Sequence, residues 1–491
     1  MPLPLSDPSL LRRQCLIDGD WRDAQGGATF PVDNPASGET LARVADGGAL
    51  EAGAAIAAAR AALPGWRALT ARERARLLRR WYELVLANQE DLARLMTLEQ
   101  GKPLTEARGE IAYGAAYIDW FAEEARRVYG DIIPTTAPDR RLLVTRQPVG
   151  VVAAITPWNF PMAMLARKLA PALAVGCTVV AKPAAETPLS ALALAELAQR
   201  AGMPPGVLNL VVGTDAPAIG GVLTASRDVA KLSFTGSTAV GRQLLAACAN
   251  TVKRVSMELG GNAPLLVFDD ADLDLAVDGA MAAKFRNAGQ TCICANRILV
   301  QRGIHDRFVA RLRERIAALR VGDGLAEGTL IGPLINQRAV AKVADLVGDA
   351  LAGGARLLES GTAPGGPGFF HAPTLLTGVS PGMRIFREEI FGPVAAITPF
   401  SDEAQALALA NDTDAGLAAY FYTADLGRIW RVSEGLDYGM VGVNETAISS
   451  EVIPFGGMKA SGMGREGSRH GVDDYLEIKH ICLGIGPSPD N

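Results

Sequence analysis

Apolar residues recur at three- and four-residue spacing from residue 50 to about 125, through stretches such as ARERARLLRRWYELVLANQEDLARLMTLEQGK. This spacing puts apolar side chains on one helix face, so the segment is predicted to form amphipathic helices that cover a sheet. The period changes at GDIIPTTAPDRRLLVTRQPVG, where RLLVTRQ reads as extended and alternating. Alternation is typical of a strand, and we expect a β-arm that leaves the main body and pairs between subunits.

Short apolar runs then alternate with helical stretches. The runs VGVVAAIT, CTVVAKP, VLNLVVG and KLSFTG follow one another, with PMAMLARKLAPALAVG and PLSALALAELAQRAG between the first three. The β-α-β-α-β order predicts a parallel sheet with right-handed crossovers. A second series begins near residue 259 with NAPLLVFDDAD and reaches PVAAITPF. The predicted fold class is α/β, with two open parallel-sheet domains.

Length, charge and cysteine content narrow the protein class. The chain has 491 residues, more than the roughly 250 to 300 at which single cores stop growing. A net charge of -5 provides no broad basic surface, so neither nucleic acid nor membrane is expected as a partner. No apolar run is long enough to span a bilayer, and the N-terminus lacks a secretory pattern. Six cysteines without framework spacing indicate a cytoplasmic protein with free thiols and no metal site.

Polar or small residues follow four of the predicted strands, in ITPWNFP, VVAKPAAETP, LSFTGSTAVG and VSMELGGNAP. Open α/β sheets bind ligands at the carboxyl ends of their strands, so these tracts form the candidate site. GSTAVG fits G-x-x-x-x-G and not the dinucleotide fingerprint G-x-G-x-x-G, so it is either a turn into a helix or a phosphate site. The N–H groups exposed at a helix start favour the phosphate site.

The tracts PWNFP, KP followed by ETP, FTGST, ELGGNAP, GQTC, EEIFGP and PFGGMKASGMGREG occur in this order along nearly the whole chain. Together they resemble the motifs of the aldehyde dehydrogenase superfamily. The resemblance implies a cofactor-binding domain at 1–128 and 149–258, a catalytic domain at 259–458, and a small β oligomerisation element at 129–148 and 459–491. It also implies a homodimer or homotetramer that acts on a small-molecule aldehyde.

By its position in GQTC, Cys292 matches the nucleophile of that superfamily. An aldehyde carbon gives up a hydride only after a nucleophile has added to it, and a thiolate then leaves a thioester for water to cleave. The alternative, a buried packing cysteine, fits the polar surroundings NAGQTCICAN poorly. Glu258 matches the general base, and Asn159 matches the side-chain donor of the oxyanion hole, with the Cys292 N–H as second donor.

The resemblance also assigns residues to a nicotinamide cofactor. They are Ile155, Trp158, Asn159, Lys182, Pro183, Ala184, Ala185, Gly236, Ser237, Leu259, Glu389 and Phe391. Family members that prefer NAD commonly carry a glutamate three residues after the lysine, where it accepts from the ribose 2′-hydroxyl. Ala185 stands there, and an alanine does not repel a 2′-phosphate. NADP is therefore the predicted cofactor, with NAD as an alternative, and Glu186 is expected to point away.

Further tracts, including FRNAGQTCICANR and NETAISSEVIPFGG, look like the succinate-semialdehyde dehydrogenase branch. Arg167, Arg286 and Ser449 match the residues with which that branch binds a carboxylate, and Phe455 is expected in the same pocket. Arginine offers planar bidentate donors and keeps its charge when desolvated. A surface ion pair is the alternative role for either arginine. Glutarate semialdehyde stays open as the substrate, because one methylene is worth only about 1 to 3 kcal/mol in discrimination.

Cys294 is a candidate redox switch, because some members of this branch form a reversible disulfide between such a thiol and the nucleophile. A thiol that merely fits the loop is the alternative.

Two other functions compete with the hydrolytic dehydrogenase. A CoA-acylating enzyme needs no base for water, so Glu258 argues against it. A binding protein without chemistry is disfavoured because nucleophile, base and oxyanion donor are all present.

Overall fold

The computed structural model describes residues 5–486, in which helices and strands alternate along most of the chain. The α-helices are α1 (Ala49–Ala68), α2 (Ala71–Ala87), α3 (Gln89–Gln100), α4 (Leu104–Glu124), α5 (Ala163–Val175), α6 (Pro188–Arg200), α7 (Ala216–Ala225), α8 (Thr238–Ala249), α9 (Leu273–Phe285), α10 (His305–Ala317), α11 (Gln337–Ala352), α12 (Arg384–Arg387), α13 (Glu403–Asn411) and α14 (Leu426–Gly435).

The strands complete this description. They are β1 (Cys15–Ile17), β2 (Asp20–Arg22), β3 (Thr29–Asp33), β4 (Thr40–Ala45), β5 (Asp131–Ile133), β6 (Arg140–Pro148), β7 (Val151–Ile155), β8 (Thr178–Lys182), β9 (Leu208–Leu210), β10 (Val229–Thr235), β11 (Arg254–Glu258), β12 (Ala263–Val267), β13 (Ala295–Gln301), β14 (Arg356–Ser360), β15 (Thr374–Thr377), β16 (Val394–Phe400), β17 (Ala418–Tyr422), β18 (Met440–Val443), β19 (Gly462–Met463) and β20 (Leu476–Gly484).

The first sheet has the strand order β19-β11-β10-β7-β8-β9-β1-β2. Its central strands, from β11 to β9, run parallel, as the alternating pattern predicted. The crossover helix α5 is buried along its whole length, because the sheet covers one side and the amphipathic helices α2 and α4 pack on the other. The predicted helical segment at 50–125 is therefore confirmed as the outer layer of this sheet.

Strand register brings the four predicted tracts to one edge of this sheet. Ile155 at the end of β7 pairs with Lys182 at the end of β8, and also with Phe234 of β10. Thr235 then pairs with Glu258 at the end of β11. Because parallel strands end on the same side, the side chains that follow them converge at this edge.

The second sheet has the order β14-β15-β16-β13-β12-β17-β18. All its neighbouring pairs are parallel except β14 with β15. Between α9 and β13 the chain reverses through Asn287 and Ala288, which both have a left-handed backbone with φ of 52° and 55°. This turn ends the helix and leads into the stretch that carries Cys292. Two largely parallel sheets with covering helices confirm the α/β fold class.

A third, antiparallel sheet has the order β20-β6-β5. It contains the predicted RLLVTRQ strand as part of β6, and it leaves large apolar side chains in solvent, with Ile132 81% and Ile478 70% exposed. The role of this sheet in assembly, like the domain boundaries, stays a prediction. One segment differs from the expectation: β19, assigned above to the oligomerisation element, pairs through Met463 with Met257 at the edge of the first sheet.

Among the described residues, no helix is long and apolar enough to cross a membrane.

Candidate active site

A cavity of about 710 Å³ opens where the carboxyl edge of the first sheet faces the Cys292 loop. Most of the predicted site residues line it: Cys292, Asn159, Trp158, Gly236, Ser237, Leu259, Glu389, Phe391, Arg167, Arg286, Ser449 and Phe455. The structure thus brings the predicted nucleophile, cofactor residues and substrate residues to one space. Glu258 and Cys294 lie outside its lining, as do Ile155, Lys182, Pro183, Ala184 and Ala185.

The nucleophile loop is fixed on both sides of Cys292. The Asn159 side-chain amide donates to the Gln290 carbonyl at 3.0 Å, and the Tyr420 hydroxyl donates to the Ile293 carbonyl at 2.8 Å. A Cβ on Gly261 would lie 2.2 Å from the Cys292 carbonyl oxygen, so only glycine lets the two segments approach. The sulfur therefore rests on a loop that the surrounding chain holds in place.

The Cys292 thiol is protonated at neutral pH in this environment. Burial, with a smaller contribution from the Glu389 charge, raises its pKa to about 12. A thiol with this pKa needs a base before it attacks a carbonyl carbon.

Glu258 lies in a position from which it acts electrostatically on Cys292. Its side chain is buried, and neither carboxyl oxygen has a hydrogen-bond partner among residues 5–486. Burial, followed by the negative charge of Glu466, raises the pKa of Glu258 well above its usual range. A carboxyl whose pKa is raised is a stronger base once ionised, which suits a group that takes a proton from water or from a thiol.

The second carboxyl in this cluster, Glu466, is held by two cations. Its oxygens lie 2.6 Å from the Arg167 guanidinium and 2.6 Å from the Lys168 ammonium, and all three side chains are at most 5% exposed. Burial alone would raise the pKa of Glu466, but Lys168 and Arg167 hold it below the ordinary value. Glu466 is thus ionised, and it places a fixed negative charge near Glu258.

Aromatic and acidic side chains form the cofactor side of the cavity. Trp158 and Phe391 meet edge to face with ring centroids 5.6 Å apart, and Phe391 has a left-handed backbone with φ of 57°. Glu389 accepts from the Gly261 N–H at 3.0 Å, and burial raises the pKa of Glu389 to about 7. Its carbonyl accepts from Lys342 at 2.7 Å, which joins helix α11 to this wall.

The predicted phosphate site has the expected geometry at the start of α8. Ser237 is the N-cap residue, and its side chain accepts from the Val240 N–H. Lys182 is buried at the end of β8, on the same edge of the sheet. Among the described residues its ammonium contacts only the carbonyl of Pro183, at 3.3 Å. Burial lowers its pKa, while the charge of Glu186 opposes that shift. Glu186 lines the cavity, so the expectation that it points away is wrong.

Arg167, predicted to bind a carboxylate, lines the cavity but already has an anionic partner in the protein. It is 1% exposed, paired with Glu466, and stacked over Phe455 with 3.8 Å between the guanidinium carbon and the ring centroid. The sequence did not reveal the pairing, because Glu466 lies 299 positions further along the chain. Within the described residues Arg286 makes no ion pair; it is exposed and lies 5.3 Å from the Phe160 ring.

Cys294 is buried, and its thiol points to the Lys284 carbonyl at 3.5 Å. The two thiols are free in the structure. Reversible disulfide chemistry of this kind usually starts from a thiol with a low pKa, whereas burial raises the pKa of Cys292. The redox switch itself stays a prediction.

Comparison with known proteins agrees with this geometry. The model of the aldehyde dehydrogenase family matches residues 21–481. This chain belongs to the aldehyde dehydrogenase family.

Curated relatives of this aldehyde dehydrogenase differ in the substrate for which they are named. The succinate-semialdehyde dehydrogenase of Escherichia coli (strain K12), named for NADP(+), is 58% identical over 98% of this chain and 100% of its own. A glutarate-semialdehyde dehydrogenase of Pseudomonas aeruginosa is 57% identical over 98% of this chain and 100% of its own. A 3-sulfolactaldehyde dehydrogenase of Pseudomonas putida is 58% identical over 98% of this chain and 99% of its own.

Sequence reasoning missed two residues that shape the site of this aldehyde dehydrogenase. Glu466 lies in the quoted GREG tract, but nothing in that tract shows which cations it meets. Tyr113 lines the cavity and its hydroxyl contacts that of Ser449. The four-residue spacing of Tyr113 and Tyr117 puts both on one face of α4, and this was the available signal.

Glu258 is expected to set the acidic limb of the pH profile. It must be ionised to act as a base, and its pKa is raised well above 4.5, so kcat should rise with pH through a correspondingly high value. Glu258→Gln should lose this limb and about 10²- to 10⁴-fold in kcat. The control is Glu389→Gln, which removes another carboxyl with a raised pKa and should keep the limb. A limb that persists in Glu258→Gln excludes Glu258 as the base.

Proposed function

We propose that this enzyme oxidises succinate semialdehyde, or a close ω-carboxylated aldehyde, to the dicarboxylate with NADP+, with NAD+ as an alternative oxidant. The observation that carries the proposal is the Arg286 guanidinium, which lines the same cavity as the Cys292 thiol. Arg286 makes no ion pair with any residue between 5 and 486, and such a cation is suited to a substrate with a negative charge at its far end. The relative named for succinate semialdehyde supports the same substrate.

The chain's own residues account for the steps at the aldehyde carbon. Glu258 takes the proton of the Cys292 thiol and passes it to solvent, and the sulfur adds to that carbon, so negative charge develops on the carbonyl oxygen. Departure of a hydride from the same carbon then leaves a thioester. The Asn159 amide has two hydrogens, and one is used on Gln290, so the second is available to this oxygen. Glu258 then takes a proton from the water that cleaves the thioester, which releases the acid and regenerates the thiol.

The residues present fit a nicotinamide dinucleotide phosphate. The buried Lys182 lacks an anionic hydrogen-bond partner within the described range, and the start of α8 presents N–H groups beside Gly236. When bound, this cofactor accepts the hydride released from the aldehyde carbon. Ala185 leaves room for a 2′-phosphate, while Glu186 in the cavity wall provides a carboxylate that favours a free ribose hydroxyl. We therefore propose NADP+ as the preferred cofactor and NAD+ as a usable one.

Arg286 and Ser449 are proposed to bind the substrate carboxylate directly. Arg167 contributes differently, because Glu466 balances its charge and its plane is stacked on Phe455. We propose that Arg167 shapes the pocket and donates to Tyr113, at 3.4 Å. An anionic pocket of this kind also accommodates glutarate semialdehyde or a sulfonated aldehyde, for which two of the relatives are named. Glu258 favours hydrolysis of the thioester over transfer to CoA.

We also propose a cytoplasmic homo-oligomer. The exposed apolar side chains of the third sheet, among them Ile132, Ile478 and Leu483, form a surface that a second copy can cover. A dimer or tetramer in which β6 and β20 contact another subunit would bury them.

The first test compares aldehydes and cofactors directly. Reduced cofactor formation without CoA is expected with succinate semialdehyde, and kcat/KM should be higher with NADP+ than with NAD+. Arg286→Leu should raise KM for succinate semialdehyde by about 10- to 100-fold, since a charge-assisted hydrogen bond contributes about 1.5 to 3 kcal/mol. KM for butanal should change little. Arg338→Leu, at an exposed arginine that also lines the cavity, is the matched control. Equal loss for both aldehydes in Arg286→Leu contradicts the carboxylate pocket.

The assembly proposal is tested by Ile478→Asp, which puts a charge on the third sheet. The variant should elute as a smaller species than the parent, because burying an unpaired carboxylate disfavours the interface. Multi-angle light scattering after size exclusion measures the mass. Leu50→Asp, at a comparably exposed leucine on helix α1, is the control and should keep the parent mass. An unchanged mass in Ile478→Asp removes this sheet from the interface.

A further inference from the structure

Two tyrosines of helix α4 hold the loop that carries Ser449. The Tyr113 and Ser449 hydroxyls are hydrogen-bonded to each other, and the Tyr117 hydroxyl donates to the Ser450 carbonyl at 3.0 Å. The tyrosine oxygens lie 3.2 Å apart, and the rings meet edge to face. Of the two, only Tyr113 lines the cavity. The position of Ser449 in the proposed substrate pocket is therefore set from α4.

Two of the hydrogens in this cluster have a fixed direction. Arg167 donates to the Tyr113 oxygen at 3.4 Å, because a guanidinium has no acceptor. Tyr117 donates to the Ser450 carbonyl, because a carbonyl has no hydrogen to give. The hydrogens of Tyr113 and Ser449 remain to be assigned.

Two arrangements of these hydrogens are possible. In the first, Ser449 donates to Tyr113, and Tyr113 donates to the Tyr117 oxygen. In the second, Tyr113 donates to Ser449, and the Ser449 hydrogen is free to point into the cavity; the contact between the two tyrosine oxygens then has no hydrogen in it. Both use only the contacts that the structure contains. The two arrangements differ in what Ser449 offers a ligand. A ligand group that can only accept hydrogen bonds receives one from Ser449 in the second arrangement and none in the first.

We propose that Tyr113 is a positioning residue that makes the enzyme selective for an ω-group that accepts hydrogen bonds and donates none. A carboxylate only accepts, so Ser449 must donate to it, and Tyr113 must then donate to Ser449. The chain Arg167 to Tyr113 to Ser449 runs in one direction and starts from a cation, which strengthens each hydrogen bond along it. This inference rests on the proposed function of the cavity and adds the residue that orients its hydroxyl donor.

Tyr113→Phe removes the hydroxyl and keeps the ring. KM for succinate semialdehyde should rise by about 2- to 10-fold, the worth of one net hydrogen bond, while kcat changes little. KM for butanal, which has no ω-carboxylate, should stay as in the parent. The matched control is Tyr117→Phe, which removes a hydroxyl from the same helix that contacts the next residue of the same loop, Ser450. Tyr117 holds the loop through Ser450 and does not donate to Ser449, so its variant shows the effect of the loop contact alone and should raise KM for succinate semialdehyde less than Tyr113→Phe does.

A double-mutant cycle shows whether Tyr113 acts through Ser449. Ser449→Ala should raise KM for succinate semialdehyde, and adding Tyr113→Phe to it should produce no further rise. Independent effects that multiply in the double variant overturn the inference, as does a Tyr113→Phe variant that affects both aldehydes equally.

The parent enzyme separates this inference from the proposed function. A parent without preference for succinate semialdehyde over butanal overturns both. A parent with that preference, together with an unchanged KM in Tyr113→Phe, overturns only the role of Tyr113.

Discussion

The ion pairs of Glu466 with Arg167 and Lys168 are the constraint on which the rest of the site depends. All three groups are nearly inaccessible to water, and removing one partner of such a cluster costs about 3 to 5 kcal/mol because it leaves a buried charge uncompensated. The Arg167 plane therefore has a fixed position, with Phe455 against its face and Tyr113 at its edge. Burial raises the pKa of Glu258, and the charge of the same Glu466 carboxylate raises it further. One buried acid thus fixes the shape of the substrate pocket and contributes to the strength of the base.

The cluster also explains why the two arginines of the pocket have different tasks. Arg167 has its charge balanced inside the protein, so its further contribution to an anion is small. Arg286 is exposed and makes no ion pair in the part of the chain that the structure describes. A substrate carboxylate that reaches Arg286 gains a partner without displacing one. Specificity for an anionic aldehyde then depends on the exposed cation Arg286 and on hydroxyl groups that the buried cation Arg167 orients.

Much of the fold was predictable from the sequence, because the period of apolar residues and the β-α-β order determine the parallel sheet and its carboxyl edge. That edge was enough to place Asn159, Lys182 and Glu258 on one side of the first sheet, whereas Cys292 was assigned from its resemblance to the family motif. The ion pair of Glu466 was not predictable, since it joins segments 299 positions apart and depends on how β11 and the last quarter of the chain pack. The high pKa of the Cys292 thiol was missed for the same reason. Local polarity gave no sign of burial, whereas Cys292 is half-buried in the folded protein and burial raises its pKa.

The most direct measurement is a crystal structure of the Cys292→Ala variant with succinate semialdehyde bound. The carboxylate is expected at hydrogen-bond distance, about 2.7 to 3.2 Å, from the Arg286 guanidinium and the Ser449 hydroxyl, with the aldehyde carbon beside position 292. Glu466 should remain on Arg167 and Lys168. A carboxylate that instead displaces Glu466 from Arg167, or that binds away from both Arg286 and Ser449, would contradict the account.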